Sequence, residues 1–311
     1  MGIFEGYLLC SDCDGTLTDS KSELSAENVA AIRHFQEEGG LFTLATGRFP
    51  KYVMRFSEEF CPNTYLVMGN GSMLCAPALP QGMQGQPSES YDQPLLVSEL
   101  VFSKAPREEL EYITEQLGCR MLFTDKRNES EPWTSDTENP TGEVLWNDIY
   151  IRASHDLDAY IRAFEDRYEA YRQNPADELL AQLPHKVNFV FDTPEATSAA
   201  LEAMRKRFPD QLFVRSWATG MELLSPGAGK GGAVLRLKRQ LEKEGCQIRK
   251  VVCVGDYGND ASMLEAADIG YAVANASEEC LKAADRVTVS CDESAIAAVI
   301  DELEKELTLT P

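Results

Sequence analysis

The sequence predicts an α/β protein whose parallel-sheet domain is interrupted by a separate α+β unit. Three observations carry that expectation. At both ends of the 311-residue chain, short apolar runs alternate with amphipathic stretches. Those apolar runs are continuous, as in strands covered on both faces. In the middle of the chain, strand-like runs follow one another without helices between them, which implies antiparallel pairing. At ~100–200 residues per domain, the length suits two domains.

In chain order, residues 6–11 (GYLLCS), 41–45 (LFTLA) and 65–68 (YLVM) read as buried strands. Residues 25–38 carry Val29, Ile32 and Phe35 at helical spacing, and Gly39-Gly40 ends that helix. A second helix is expected over 51–60. Residues 73–76 and 95–102 read as a hairpin joined by a loop, 77–94, rich in Pro, Gly and Gln. The inserted unit follows as helix 105–117, strands 119–124 and 144–152, helix 156–170, strand 186–192, helix 195–207 and strands 211–216 and 220–224. The far end returns to alternation. Helix 231–244, strand 251–255, helix 259–267, strand 270–274, helix 277–284, strand 286–289 and helix 293–306 complete the first domain.

Composition narrows the function. Against 29 basic residues stand 51 acidic ones, a net charge of −22. Such a body repels nucleic acid and anionic membrane, so no nucleic-acid or membrane partner is expected, and any anionic ligand needs a local cluster of cations. No apolar run reaches the ~18–20 residues of a membrane span, and the first residues lack the basic start of a signal peptide. Nine cysteines, an odd number without pairing-like spacing, fit a reduced, cytoplasmic protein.

Four segments carry chemistry. Asp12-Cys13-Asp14-Gly15-Thr16 ends the first strand, placing two carboxylates beyond its carboxyl end, where open α/β sheets bind ligands. An Asp-rich turn closed by an Asx hydrogen bond would account for that segment equally well by itself. Gly255-Asp256-Tyr257-Gly258-Asn259-Asp260 repeats the logic at the end of another buried strand, with Asp260 at a helix start. If Asp12, Asp14, Asp256 and Asp260 converge, their mutual repulsion calls for a hard divalent cation such as Mg²⁺. Thr46-Gly47-Arg48 offers a hydroxyl, a glycine amide and a cation at a strand end. Lys230 stands directly before a helix in GAGKGG.

Together and in this order, the four segments resemble the haloacid dehalogenase (HAD) superfamily of phosphotransferases. Residues 12–19 (DCDGTLTD) are similar to its first motif, Thr46 in LATGR to the second, Lys230 in GAGKGGAVL to the third and residues 255–260 (GDYGND) to the fourth. The αββαβαββ order of the inserted unit is similar to the type IIB cap of Cof-like hydrolases, as is Asn70-Gly71 after the third strand. The resemblance covers essentially the whole chain. It implies a Rossmann-like core with the HAD fold from residues 1–100 and 222–311, and an inserted cap at 101–221.

The resemblance also implies roles. Asp12 becomes the nucleophile that forms an aspartyl-phosphate, and Asp14 the acid that protonates the leaving alcohol and then activates water. Asp12, Asp14 (through its backbone carbonyl) and Asp256 become the Mg²⁺ ligands, supported by Asp260. Thr46, Gly47, Lys230 and Asn259 grip the phosphoryl oxygens. The implied activity is a Mg²⁺-dependent phosphatase acting on a small phosphorylated metabolite such as a sugar phosphate, nucleotide or cofactor phosphate. A dehalogenase lacks the second acid, and Asp14 is present. The cap closes over the site and selects the substrate, with Arg48, His185, Lys186 and Arg215 as candidate contacts; the last three read equally well as surface or packing residues. The loop 77–94 and the acidic stretch 124–143 exceed what a minimal capped enzyme needs.

Two rivals remain at this level. A phosphomutase of the same superfamily would isomerise a sugar phosphate instead of releasing phosphate. Gly227, Gly229 and Gly232 also satisfy GxGxxG, with Asp256 downstream, as in a dinucleotide-binding oxidoreductase. Against that rival, Ser225-Pro226 interrupts the junction of strand and glycines, and the DCDGT and ATGR segments are left unexplained.

Overall fold

The computed structural model describes residues 2–49, 62–76, 96–119, 121–125, 151–152, 157–180 and 183–309. The helix expected at 51–60, the loop 77–94 and most of the stretch 124–143 lie outside the described residues, as does 144–150. The strands are β1 (Tyr7–Ser11), β2 (Leu41–Leu44), β3 (Leu66–Met68), β4 (Met73–Cys75), β5 (Leu96–Glu99), β6 (Met121–Asp125) and β7 (Ile151–Arg152), then β8 (Lys186–Val190), β9 (Phe213–Trp217), β10 (Gly220–Leu224), β11 (Lys250–Gly255), β12 (Ile269–Ala272) and β13 (Arg286–Val287). They fall in two compact units, one of Met1–Glu99 with Gly229–Pro311, the other of Leu100–Ala228.

The first unit is built on a sheet of order β13-β12-β11-β1-β2, with every neighbouring pair parallel. Continuous apolar strands make this possible because successive side chains enter opposite cores. On one face Leu9, Val252 and Val254 pack with Ile32 and Phe35 of the helix Ala26–Glu37 and with Ile296, Val299 and Ile300 of the helix Ala295–Leu309. On the other, Leu8, Cys10, Val251 and Cys253 pack with Val234, Leu237 and Leu241 of the helix Lys230–Lys243. Strand order reverses between β1 and β11, so their carboxyl ends flank the crevice where such sheets bind ligands. Asp12 follows β1, and Asp256 follows β11.

One expectation changes here. The strand expected at 65–68 is not a regular member of the parallel sheet. β3 touches the end of β2 through a single parallel bridge, Ala45 to Val67, and otherwise pairs antiparallel with β4, which pairs antiparallel with β5. The turn Gly69–Gly71 reverses the chain and produces this second, three-stranded sheet.

The inserted unit has the order β7-β6-β8-β10-β9, antiparallel throughout. Three helices, Arg107–Gln116, Leu157–Gln173 and Pro194–Arg207, bury Leu110, Ile113, Ile161, Phe164, Leu201 and Met204 against Val187, Phe189, Met221 and Leu223. The third of these helices starts with Thr193 accepting the Ala196 N–H and with Pro194 at its first position, both ordinary start signals. The element order is αββαβαββ, with one added helical turn, Asp177–Leu180. The bound expected at 221 cuts through β10, which as a whole is hydrogen-bonded to β8 on one side and β9 on the other. Ser225 then bonds back to the carbonyls of His185 (3.1 Å) and Leu100 (3.0 Å), which extends the unit to Ala228.

Candidate active site

Asp12 leaves β1 with its N–H donated to the Val254 carbonyl at 2.9 Å, which continues the β1–β11 ladder by one residue. The chain then turns sharply, with the N–H groups of Leu17 and Thr18 both donated to the Cys13 carbonyl. Gly15 sits in this turn at φ +79°, and a Cβ there would lie 2.8 Å from Asp256 Oδ2. A side chain at 15 would therefore be both strained and in collision with the second acidic segment. Thr16 Oγ1 reaches Asp256 Oδ1 at 3.3 Å, and Asn275 Nδ2 donates to the Gly15 carbonyl at 3.0 Å.

Lys230 lies at the centre. Its ammonium is fully buried and donates at 2.5 Å to both Asp12 Oδ1 and Asp260 Oδ1. Gly231 makes this position possible by close approach: a Cβ there would lie 2.1 Å from the Ser262 carbonyl oxygen, beside the helix Ala261–Ala266. Asp260 uses its other oxygen to accept the N–H groups of Asp256 and Tyr257, at 3.1 and 3.0 Å. Both its oxygens are thus engaged in holding Lys230 and the Asp256 loop.

Oxygens of Asp12, Asp256 and Asp260 lie within 4.8 Å of one another. Burial pushes the Asp12 carboxyl up to about 7, against the lowering pull of the Lys230 charge. Burial pushes Asp256 up to about 9, and the charges of Asp12 and Asp260 add to the rise. Burial also disfavours the Lys230 ammonium, but the Asp12 and Asp260 carboxylates outweigh it and raise that group above its usual range. Two buried carboxylates, Asp12 and Asp260, and the half-buried Asp256 face one ammonium. An all-oxygen donor set that resists ionisation by itself fits a hard divalent cation, with Asp12 and Asp256 as the side chains still able to turn an oxygen toward it.

This arrangement makes a pH prediction. Both folded-state values lie above the ordinary 3.8, so the metal-free fold is favoured at low pH and loses that advantage as pH rises through about 7 and then 9. A cation needs the deprotonated forms and must displace those protons. The gain in melting temperature on adding Mg²⁺ should therefore grow from about pH 6 to about pH 9. A gain that stays constant across that range would contradict the assignment of these carboxylates as ligands.

The remaining expected residues separate into two groups. Thr46 is buried, its N–H donated to Val67 and its hydroxyl accepting the Arg48 N–H at 3.1 Å. Gly47 lies against the Asn70 side chain, and Asn259 donates through Nδ2 to Asn70 Oδ1 at 3.0 Å. Arg48, expected as a substrate cation, forms a two-pronged pair with Asp14, Nε to Oδ2 at 2.9 Å and Nη2 to Oδ1 at 3.2 Å. His185, Lys186 and Arg215 belong to the inserted unit. His185 is fully buried just before β8, and Lys186 is buried in an ion pair with Glu222 at 2.9 Å. Arg215 donates to Ser198 Oγ and to the carbonyls of Pro194, Trp217 and Ala218, bracing the start of the helix Pro194–Arg207. The sequence assigns no role to Thr16 or Asn275, and Asn70 enters it only through the likeness of Asn70-Gly71 to Cof-like hydrolases. Thr16 adjoins the DxDG run, and Asn70 between two glycines is a turn signal; nothing local marks Asn275.

The dinucleotide fingerprint loses its context. It needs a strand, glycines and helix within one parallel βαβ unit. Here the preceding strand β10 belongs to the antiparallel sheet, whereas Asp256 ends β11 of the parallel one.

A model of the haloacid dehalogenase-like hydrolase family matches residues 9–87 and 101–300. Phosphatase YwpJ of Bacillus subtilis (strain 168) is 31% identical over 302 residues, covering 95% of this chain and 99% of that protein. A solved haloacid dehalogenase-like hydrolase from B. subtilis matches with a TM-score of 0.64 at 23% identity, over 95% of this chain and 99% of the other. The HAD subclass IIB sugar phosphatase BT4131 matches with a TM-score of 0.61 at 17% identity, over 96% and 99%. At those identities the two structures speak for the fold. Fold, motifs and relatives together define a hydrolase of phosphate esters. The chain belongs to the haloacid dehalogenase-like hydrolase family, in its Cof-like branch. Among the described residues, no helix is long and apolar enough to cross a membrane.

Proposed function

We propose that the protein is a Mg²⁺-dependent phosphatase of small phosphorylated metabolites (sugar phosphates, nucleotides or cofactor phosphates), acting in the cytoplasm through an aspartyl-phosphate on Asp12. The observation that supports this most directly is the buried Asp12–Lys230–Asp260 bridge beside Asp256. Solvent is excluded there and charge is concentrated, as phosphoryl transfer requires.

In the first step an Asp12 carboxylate oxygen attacks phosphorus, the bond from phosphorus to the ester oxygen breaks, and Asp14 gives its proton to the departing alkoxide. In the second, Asp14 takes a proton from water, the water oxygen attacks phosphorus, and the bond to Asp12 breaks to release phosphate. Lys230, Thr46 Oγ, the Gly47 N–H and Asn259 hold the equatorial oxygens throughout. Mg²⁺, held by Asp12, Asp256 and the Asp14 backbone carbonyl, would supply positive charge opposite the developing negative charge. Asp260 orients Lys230 and the Asp256 loop. The Arg48–Asp14 pair is half-exposed, so water can solvate both groups when Asp14 leaves Arg48 for the ester oxygen.

The deciding experiment follows phosphate release from an aryl phosphate with Mg²⁺ and with EDTA, and then from a panel of sugar, nucleotide and cofactor phosphates. Metal-dependent release is expected. Isomerised sugar phosphate without free phosphate would replace this reading with the mutase.

A further inference from the structure

The turn between β3 and β4 holds three successive residues at positive φ: Gly69 at 57°, Asn70 at 52° and Gly71 at 84°. Glycine adopts that region freely, whereas any side chain is strained there, asparagine least. A third glycine would build the same turn with less strain, so the turn alone does not explain an amide at position 70.

Its contacts do. Asn70 is fully buried. Its N–H donates to the Thr46 carbonyl at 3.0 Å, and its own carbonyl accepts the N–H of Gly229, the residue before Lys230, at 2.8 Å. Asn70 Oδ1 accepts from Asn259 Nδ2 at 3.0 Å. The same amide backs Gly47, where a Cβ would lie 3.2 Å from Asn70 Nδ2 and 3.3 Å from Oδ1. One residue thus reaches the phosphoryl-gripping segments on three separate stretches of chain. Asn259 Oδ1 is buried and has no hydrogen-bond partner among the described residues. With one Nδ2 hydrogen held by Asn70, its other hydrogen and its oxygen remain for a ligand.

We propose that Asn70 is a positioning residue that orients the Asn259 amide and the Gly47 peptide for the transferring phosphoryl group, acting through them without touching substrate. The proposal rests on the phosphatase reading above. It also accounts for an asparagine where backbone geometry favours glycine.

Asn70→Gly keeps the turn and both backbone hydrogen bonds and removes only the side chain, and a melting curve verifies the fold. With an aryl phosphate and Mg²⁺, kcat should fall roughly 10- to 100-fold while KM moves by less than about threefold, the pattern of lost positioning. The double variant Asn70→Gly/Asn259→Ala should be no slower than Asn259→Ala alone, because the two amides act as one unit. Wild-type kcat in Asn70→Gly, or losses that multiply independently in the double variant, overturns the assignment. Calorimetric binding of orthovanadate in the presence of Mg²⁺ gives a readout without turnover, and Asn70→Gly should weaken it roughly tenfold. If wild type releases no phosphate but vanadate binding still depends on Asn70, the phosphatase reading fails and the positioning role stands. If wild type does not bind vanadate, or Asn70→Gly binds it equally well, the positioning role fails.

Discussion

Asp12→Asn is expected to lower kcat by roughly 10⁴-fold or more, about 5 kcal/mol of barrier, without unfolding the protein. Asparagine is nearly isosteric, and its Oδ1 can still accept from Lys230, whose second partner Asp260 is untouched. On the proposed mechanism, what disappears is the anionic oxygen that attacks phosphorus. The test pairs steady-state phosphate release with a melting curve on the same preparation. A variant that melts like wild type and still turns over at the wild-type rate would remove Asp12 from the nucleophile's role. Acid-stable label from the aryl phosphate should appear on wild-type protein quenched during turnover and be missing from the variant.

Lys230→Met should damage both stability and rate. The ammonium is fully buried between two carboxylates, and breaking a buried pair by removing one partner costs about 3–5 kcal/mol. Urea unfolding of the metal-free variant should register that loss. Mg²⁺ should recover more melting temperature in the variant than in wild type, because the cation takes over part of the missing charge. With Lys230 gripping the phosphoryl oxygens as proposed, its loss should also cost roughly 10²–10³ in kcat. An unfolding free energy equal to that of wild type would mean the Asp12–Lys230–Asp260 bridge is not held in solution.

The two acidic segments were legible in the sequence because their geometry is local. A continuous apolar strand ending in Asp or Gly-Asp puts carboxylates at a carboxyl end whatever the rest of the chain does. The α/β alternation and the helical spacing of residues 25–38 were legible for the same reason, since periodicity records which side of an element faces a core. Lys230 was less so: a lysine between glycines usually marks a loop on the surface, and it drew its weight from the order of the motifs around it. Arg48 illustrates the limit. Its residue type suits an anion, yet in the folded chain its guanidinium lies on Asp14, a choice no local pattern could reveal.

Short-range periodicity and turn chemistry thus carry the class of fold, the interruption by an α+β unit and the residue types that gather at the strand ends. Which oxygen meets which donor depends instead on long-range packing. Lys230 and Asp12 are 218 residues apart, Asn259 and Asn70 189 apart, and such pairings arise only when parallel strands and their crossover helices pack. Long-range packing also decided where the inserted unit ends, because Ser225 bonds back to the carbonyls of His185 and Leu100 and so carries the unit past β10 to Ala228. The same packing left one amide in a left-handed turn where glycine would have served the backbone.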